Sequence, residues 1–529
     1  MTKSSFTKIL AIMVLSWFII LSSCSGGFIS PLKVKFTKKM VHSEDDGSII
    51  SLPPASKSNP FLNIHMNSGL VYRLSEWKMS DDNLLIYGNG TLFGINRAQI
   101  STGDFKIPTE KVSIAESNQL ISRLNPLSAL TVLSLGLSMA CLDGKTCFGS
   151  CPTFYVSDGD SLSLMSEGFS ISTNPIWEST DIDALFNAEP SGDEIHIKLT
   201  NEALETHNIK TLRLLAFPKE KGKRVIRTVY DEFYQSTMIL PATCKAEEGD
   251  ILPEILFFDG QERFSKAGDD NLAEKEYIEI SFENIKSGSS ALIIGRRQSL
   301  LSTFIYYKIL DYMGEDRVAD MARLIREEKM VSKSRQRLLN TLGAIEVEVL
   351  NENGDWISAE SDFEAGPIAR DVVGIPLPIQ TKGDVKIRLK MTKGLWRIDL
   401  IALAELEDKL EPISIEANRV ENMKMEMDDE ALRLLLNPEK YFTTFGGDQF
   451  DLYFTNPDKS KEYEWFLESS GYYLEWHRDV WLKDKNKIKL AEIQAFPKLA
   501  LKKLAHEYKE IEEEFENLFW SSKYANTAN

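Results

Sequence analysis

Carboxylate pairs such as Asp181 and Asp183, two aspartates spaced two apart in the run STDIDALF, are candidates for chemistry in this sequence. Such a pair of acids can ligate calcium or cleave a glycosidic bond. In a chain with 79 acidic against 61 basic residues, however, such a pair arises easily. The nucleophile elbow G-x-S-x-G, the zinc signature H-E-x-x-H and the phosphate loop G-x-x-x-x-G-K-[ST] are all missing. The glycines of YGNGTLFG, Tyr87 to Gly94, have no helix signal after them and are expected in a hairpin. His42, His65, His196, His207, His477 and His506 are scattered without ligand spacing, and His196 and His207 are expected at the surface. No catalytic residue, metal site or cofactor is therefore assigned. Among the aromatics, Trp177 in NPIWEST and Trp356 after a tight turn are candidate ligand contacts, because sugar rings stack on Trp faces, although packing is the favoured role for both. Trp396, inside LWRIDL, is expected in the core.

The cysteines allow several chemistries. Cys147 and Cys151 flank CFGSC, with Cys141 just upstream and Cys244 far downstream. A zinc site wants a second closely spaced ligand pair, and none follows. A dithiol redox centre wants C-x-x-C at a helix start, whereas Cys151 precedes a β-hairpin pattern. Structural disulfides are the expectation, with unpaired buried thiols and a metal site as alternatives. Of the three connectivities four cysteines allow, Cys151–Cys244 with Cys141–Cys147 is preferred, because Cys151 and Cys244 each lie upstream of an Asp-Gly turn.

The fifth cysteine bears on location. Lys3 and Lys8 precede an apolar run from Ile9 to Leu21 and the small residues of LSSC, the order of a secretory signal. The run is shorter than the roughly 20 residues of a membrane span. LSSC resembles the lipobox of bacterial lipoproteins, which implies a cut before Cys24 and lipidation of that residue. More than one acyl chain anchors a protein stably without crossing the bilayer. Ser25, with no acidic cluster just after Cys24, favours the outer membrane. The net charge of −18 repels phosphate backbones, so nucleic acid is not an expected partner.

Positioning any site falls mainly to β-structure. EIHIKLT, EYIEISF, AIEVEVL and DVKIRLKM alternate polar and apolar residues at period two, the pattern of half-buried strands. Asp158-Gly159, Asp259-Gly260 and Asn353-Gly354 supply hairpin turns. CPTFYVSDGDSLSLMSEGF and LPEILFFDGQERFSKAGD look like one hairpin unit used twice, and DEIHIKLTNEALETHNIKTLRLLAFP is echoed by GDVKIRLKMTKGLWRIDLIALAEL. Leu124 to Cys141 reads as a buried apolar helix. SLLSTFIYYKILDYMGEDRVADMARLIREEK reads as two helices broken at Gly314. After Pro497 a stripe of Leu501, Leu504, Tyr508, Ile511, Phe515 and Leu518 is expected to pack on the protein's own β-structure.

The fold expected is mainly β with helical additions: several antiparallel β-sandwich or barrel-like domains, an internal helical pair and a helical C-terminus. The boundaries expected are a signal peptide at 1–23, an N-terminal β domain at 24–123, an apolar helix and linker at 124–146, and a sandwich at 147–298. A helical segment at 299–340, a second sandwich at 341–455 and a helical region at 456–529 complete the chain.

ACLDGKTCFGSCPTFYVSDG, LIIGRRQSLLSTFIYYKIL, KGLWRIDLIAL, SSGYYLEWHRDVWL and FWSSKYA resemble blocks of a family of large uncharacterised lipoproteins from Bacteroidota with Cys-Pro/Asp-Gly β-hairpin domains. The resemblance implies an envelope address and a β-rich fold, and it brings no activity. The function expected is a non-enzymatic envelope scaffold or binding module making protein or glycan contacts. The alternative is a glycan-acting hydrolase with catalytic carboxylates outside the motifs above. A cleft holding two convergent carboxylates with perturbed pKa values would favour the enzyme.

Overall fold

The computed structural model describes residues 34–39, 61–120, 148–319, 329–476 and 482–520, with 52, 54 and 55, save for 67, 95–98, 150, 159–160, 174, 191, 364–365 and 483. Five antiparallel sheets carry the fold, so the mainly β reading holds. The signal segment, Cys24, the run Leu124 to Cys141, and Cys147 lie outside the described residues.

Four of the sheets stack face to face. The first sandwich has an outer sheet of strands Arg419–Asn422, Gln449–Thr455, Glu194–Thr200, Thr153–Ser157 and Leu162–Glu167, in that spatial order. Its inner sheet runs Ile413–Glu416, Glu205–Pro218, Tyr463–Glu475 and Ser179–Ala184. The second sandwich has an inner sheet of Arg224–Arg227, Phe233–Ile239, Trp396–Leu410, Ser290–Gln298 and Asp371–Pro376. Its outer sheet runs Gly249–Asp250, Thr243–Ala246, Lys275–Gly288, Thr381–Thr392, Ile345–Leu350 and Trp356–Asp362.

Strand periodicity assigns alternate residues to alternate cores. Leu214, Ala216, Trp465 and Leu467 fill the first sandwich, while Leu215, Phe217 and Phe466 point the other way, against Val225, Phe233, Ile293 and Ala402 of the second. Leu292, Ile294, Ile401 and Leu403 then face the second sandwich's own core. The two inner sheets are therefore buried on both faces, which is why LRLLAF, SALIIG and LIALAEL are mostly apolar and lack a strict period-two alternation. The outer sheet of the second sandwich has one wet face, and EYIEISF, AIEVEVL and DVKIRLKM alternate as expected. The echoed pairs also hold: Glu194–Thr200 to Glu205–Pro218, and Thr381–Thr392 to Trp396–Leu410, both step from an outer sheet to an inner one.

Chain order departs from the expected boundaries. The first sandwich is discontinuous: strands of 153–218 pair with strands of 413–475, and the second sandwich, 224–410, is inserted between them. Strands Glu205–Pro218 and Ile413–Glu416, which lead into and out of the insert, are neighbours in register, Ala216 opposite Ile413. The expected helical region from 456 begins instead with the long strand Tyr463–Glu475, whose core-facing Trp465 and Leu467 alternate with polar and opposite-facing residues. Helix Asp429–Leu435, not expected, starts where the Asp428 carboxylate accepts the Ala431 N–H at 2.9 Å. The second Asp-Gly hairpin is absent: Asp259-Gly260 lies in a bent loop held by the Asp399 carboxylate, which accepts the Gly260 N–H at 3.1 Å. Arg263–Phe264 pairs with strand Trp396–Leu410 there, and the Ile255 carbonyl accepts the Ile401 N–H at 2.9 Å. Gly88 and Gly90 sit within strand Leu85–Phe93 rather than in a turn; a Cβ on Gly90 would lie 2.0 Å from the Arg73 carbonyl oxygen beside a bulge.

The helices close the second sandwich. Leu301–Ala319 is broken at Gly314, φ 67°, as expected. Leu501, Leu504, Tyr508, Ile511 and Phe515 of the C-terminal helices enter the second sandwich's core, with Leu518 packed at its edge. Glu512 and Glu516 are buried there because each carboxylate accepts a loop N–H, Ala267 at 2.8 Å and Leu300 at 3.0 Å. Phe148, from the start of the first sandwich, packs on Phe515 and Phe519 with ring centroids 4.9 and 5.2 Å apart. The N-terminal sheet, six strands within residues 34–120, has its own core of Leu62, Ile64, Leu74, Ile86 and Ile107. It meets the first sandwich where His65 stacks on Trp476, centroids 6.0 Å apart.

Candidate functional site

A cleft of about 230 Å³ opens where edges of all four stacked sheets converge. Strand Leu162–Glu167 brings Glu167, and Ser179–Ala184 brings Asp181 and Asp183. The second sandwich contributes Arg227, Arg296 and Asp371 from its inner sheet and Asp362 from its outer one, with Asp231 and Phe363 on loops. The sequence pair Asp181 and Asp183 does share this site; its partners come from far along the chain.

Asp371 is the centre of the ionic network. One carboxylate oxygen accepts the Ala184 N–H at 3.0 Å, and the other accepts Arg227 and Arg296, each at 2.8 Å. Arg296 also donates to Asp362 at 2.5 Å, and Arg227 to Asp231 at 3.0 Å. Burial alone would raise the pKa of Asp371, but the two guanidiniums overcome it and hold the carboxyl below its ordinary value. Asp183 has the opposite fate. It accepts the Ser166 hydroxyl at 2.5 Å and the Glu167 N–H at 3.1 Å, yet burial, followed by the nearby charge of Asp371, pushes its pKa up to about 8. The environment thus favours the protonated form of Asp183 and the ionised form of Asp371. Glu167 pins the far wall by accepting the N–H groups of Ile368 and Ala369 at 2.7 and 3.3 Å. Gly366 permits that approach, since a Cβ there would lie 2.1 Å from the Glu167 carboxyl carbon. Phe363, 46% exposed, lines the cleft beside these acids.

Other candidates fall elsewhere. Neither Trp177 nor Trp356 lines the cleft. Trp177 carries the Arg335 guanidinium at 5.0 Å and Trp356 that of Arg388 at 4.5 Å, so each ring face packs against a cation. Trp396 is buried, as expected. His196 is partly exposed, bonded to Asp451 at 2.6 Å, but His207 is fully buried against Glu205 at 2.7 Å, which corrects its surface assignment. The expected Cys151–Cys244 bridge is not formed: Cys151 is buried in the first sandwich and Cys244 in the second, cores separated by the two inner sheets. Burial pushes the Cys244 thiol up to about 12 and raises that of Cys151 well above its usual value, so neither has thiolate character. Cys141, the expected partner of Cys147, lies with it outside the described residues. Among the described residues, no group of three His, Cys, Asp or Glu is arranged to hold a metal ion, and no helix is long and apolar enough to cross a membrane.

No family model matches the chain, and no curated protein matches it. Among solved structures, a β-porphyranase of glycoside hydrolase family 86 from the human gut bacterium Bacteroides plebeius overlaps 48% of this chain and 39% of its own, at 9% identity and a TM-score of 0.16. A second family 86 protein, in complex with neoagarooctaose, overlaps 44% of this chain and 34% of its own at 12% identity and a TM-score of 0.16. An exo-β-1,3-galactanase from Phanerochaete chrysosporium overlaps 68% of this chain and 86% of its own at 7% identity and a TM-score of 0.13. The chain spans well under half the length of the two family 86 proteins. At these TM-scores the overlaps carry no argument about fold or activity.

Proposed function

We propose that this chain is a lipoprotein of the cell envelope, anchored by lipid on Cys24 at the outer membrane, whose inter-sandwich cleft binds a small hydroxyl-rich group such as a glycan terminus without turning it over. The Cys24 part rests on the LSSC sequence. The ligand class rests on the lining: acids that accept sugar hydroxyls, the exposed ring of Phe363 for stacking, and a volume below the roughly 300–1,000 Å³ of drug-sized sites.

The observation that carries binding over hydrolysis is the state of Asp371. Both its oxygens are taken by Ala184, Arg227 and Arg296, so its basicity is spent on holding the two sandwiches together. The hydrolase remains the second reading because Asp183 keeps a proton near neutral pH, as a general acid must. Ligand-observed NMR with envelope glycans, on the parent protein and on Phe363→Ala, tests the first reading: saturation transfer is expected for the parent and its loss for the variant. Release of reducing ends by the parent, abolished in Asp183→Asn while binding persists, would replace binding by catalysis. Cys24→Ser is expected to free the protein from membranes; a processed variant that still fractionates with them sinks the lipid anchor.

A further inference from the structure

The segment Asn422–Asp428 presents chemistry that the cleft does not use. Its sequence, NMKMEMD, places Met423, Met425 and Met427 at spacing two, and they are 64, 81 and 63% exposed. Methionine ordinarily fills gaps in cores, so three exposed side chains in five residues call for a reason beyond packing. The loop is held in one shape. The Asn422 N–H donates to the Glu426 carbonyl at 2.9 Å, the Met425 N–H donates to the Asn422 carbonyl at 2.8 Å, and the Asn422 side-chain oxygen accepts the N–H groups of Lys424 and Glu426 at 2.9 and 3.3 Å. Met425 occupies the tip at φ 59°, a conformation that favours Gly or Asn, and the turn keeps a thioether there. Glu421 and Met427 bridge across the base. Strand Arg419–Asn422 anchors one side, and helix Asp429–Leu435, seated on the first sandwich through Ala431 and Leu435, anchors the other.

We propose that this loop is a binding site for a soft monovalent cation, copper(I) or silver(I), held by the thioether sulfurs of Met423, Met425 and Met427. Thioethers are neutral, soft donors that select such ions over zinc, calcium or magnesium. The local charge favours a cation: Glu421 and Glu430 are paired with Arg419 and Arg433, and Glu426, Asp428 and Asp429 stand in the same stretch as Lys424. Binding involves no change of oxidation state and no proton release, because thioethers carry no proton to lose.

Silver(I), which needs no reductant, is the probe. Titrated into the full-length protein labelled with 13C at the methionine methyls, it is expected to shift the three resonances of Met423, Met425 and Met427 together. The parent should take up one more equivalent than Met423→Leu/Met425→Leu/Met427→Leu. The leucine variant keeps the apolar surface and every thiol of the chain, so the difference reports the sulfurs alone. Competition with a chromophoric copper(I) chelator should show the parent withdrawing copper(I) that the variant leaves behind. Equal uptake by the two proteins, or silver shifts confined to other methionines, overturns the site.

Discussion

The interface between the two sandwiches has an apolar half and an ionic half, and they do the same mechanical work by different physics. In the apolar half, Phe217 and Phe466 of one inner sheet meet Phe233 of the other, with centroids 4.3 and 5.0 Å apart. In the ionic half, Asp371 ties the Ala184 backbone of the first sandwich to Arg227 and Arg296 of the second. Aromatic packing is indifferent to pH and tolerates change of shape in proportion to lost area. A buried charge network is all-or-none, because removing one member strands the others. The difference explains why the cleft forms at the ionic edge: fixed polar groups cannot close onto one another as side chains in a core do.

The sharpest break of that contrast is Asp371→Ala. It leaves Arg227 and Arg296 buried beside fewer anions, and a loss of about 3–5 kcal/mol in urea unfolding is expected. A loss below about 1 kcal/mol would mean that water replaces the carboxylate and the ionic half is not closed. Phe466→Leu, in the apolar half, should cost about 1–2 kcal/mol at roughly 0.8 kcal/mol per lost methylene equivalent, and the loss should be the same at pH 5 and pH 8.

Asp183 separates the halves by pH. Its folded pKa, about 8, is raised above the ordinary 3.8, so the folded state holds a proton that the unfolded chain releases. The stabilisation it gives is complete below pH 3.8 and is lost as pH rises towards 8. Asp183→Asn should therefore flatten the pH dependence of the melting temperature between about pH 4 and 8. An unchanged slope would show that Asp183 is ionised in the folded protein. Asp371 has the reverse sign: its folded pKa is lowered, so its contribution is present above the ordinary 3.8 and fades as acid protonates it. The smallest effect is expected away from the interface, at Trp356→Ala, where the Arg388 contact is worth about 0.5–1 kcal/mol.

What the sequence revealed follows from where each residue's partners lie. EYIEISF and AIEVEVL were legible because one wet face writes period two into the chain. The doubly buried LRLLAF and LIALAEL erase that period, so the stack of four sheets could not be read from them. The nesting was hidden because Glu194–Thr200 pairs with Gln449–Thr455, far along the chain, and nothing local specifies a partner at that distance. For the same reason Asp181 and Asp183 were visible as a pair, while Asp371 and its two arginines were not. His207 looked like a strand-end surface residue; its burial depends on Glu205, two positions away, turning with it into the core. The Cys151–Cys244 expectation failed because similar Asp-Gly turns do not imply adjacent sheets: only one of the two closes a hairpin.

The contact of Phe148 with Phe515 and Phe519 has a consequence for how such a chain comes to be folded as it is made. A polypeptide delivered from its N-terminus presents Glu205–Pro218 long before Tyr463–Glu475 arrives to pair with it, and the second sandwich waits for the helices from Lys487 onward to cover its core. Neither sandwich can be finished early. The last helices act as a clasp that fastens the beginning of the fold to its end, so a molecule interrupted before them leaves the second sandwich's core open to proteases, while one that reaches them closes it.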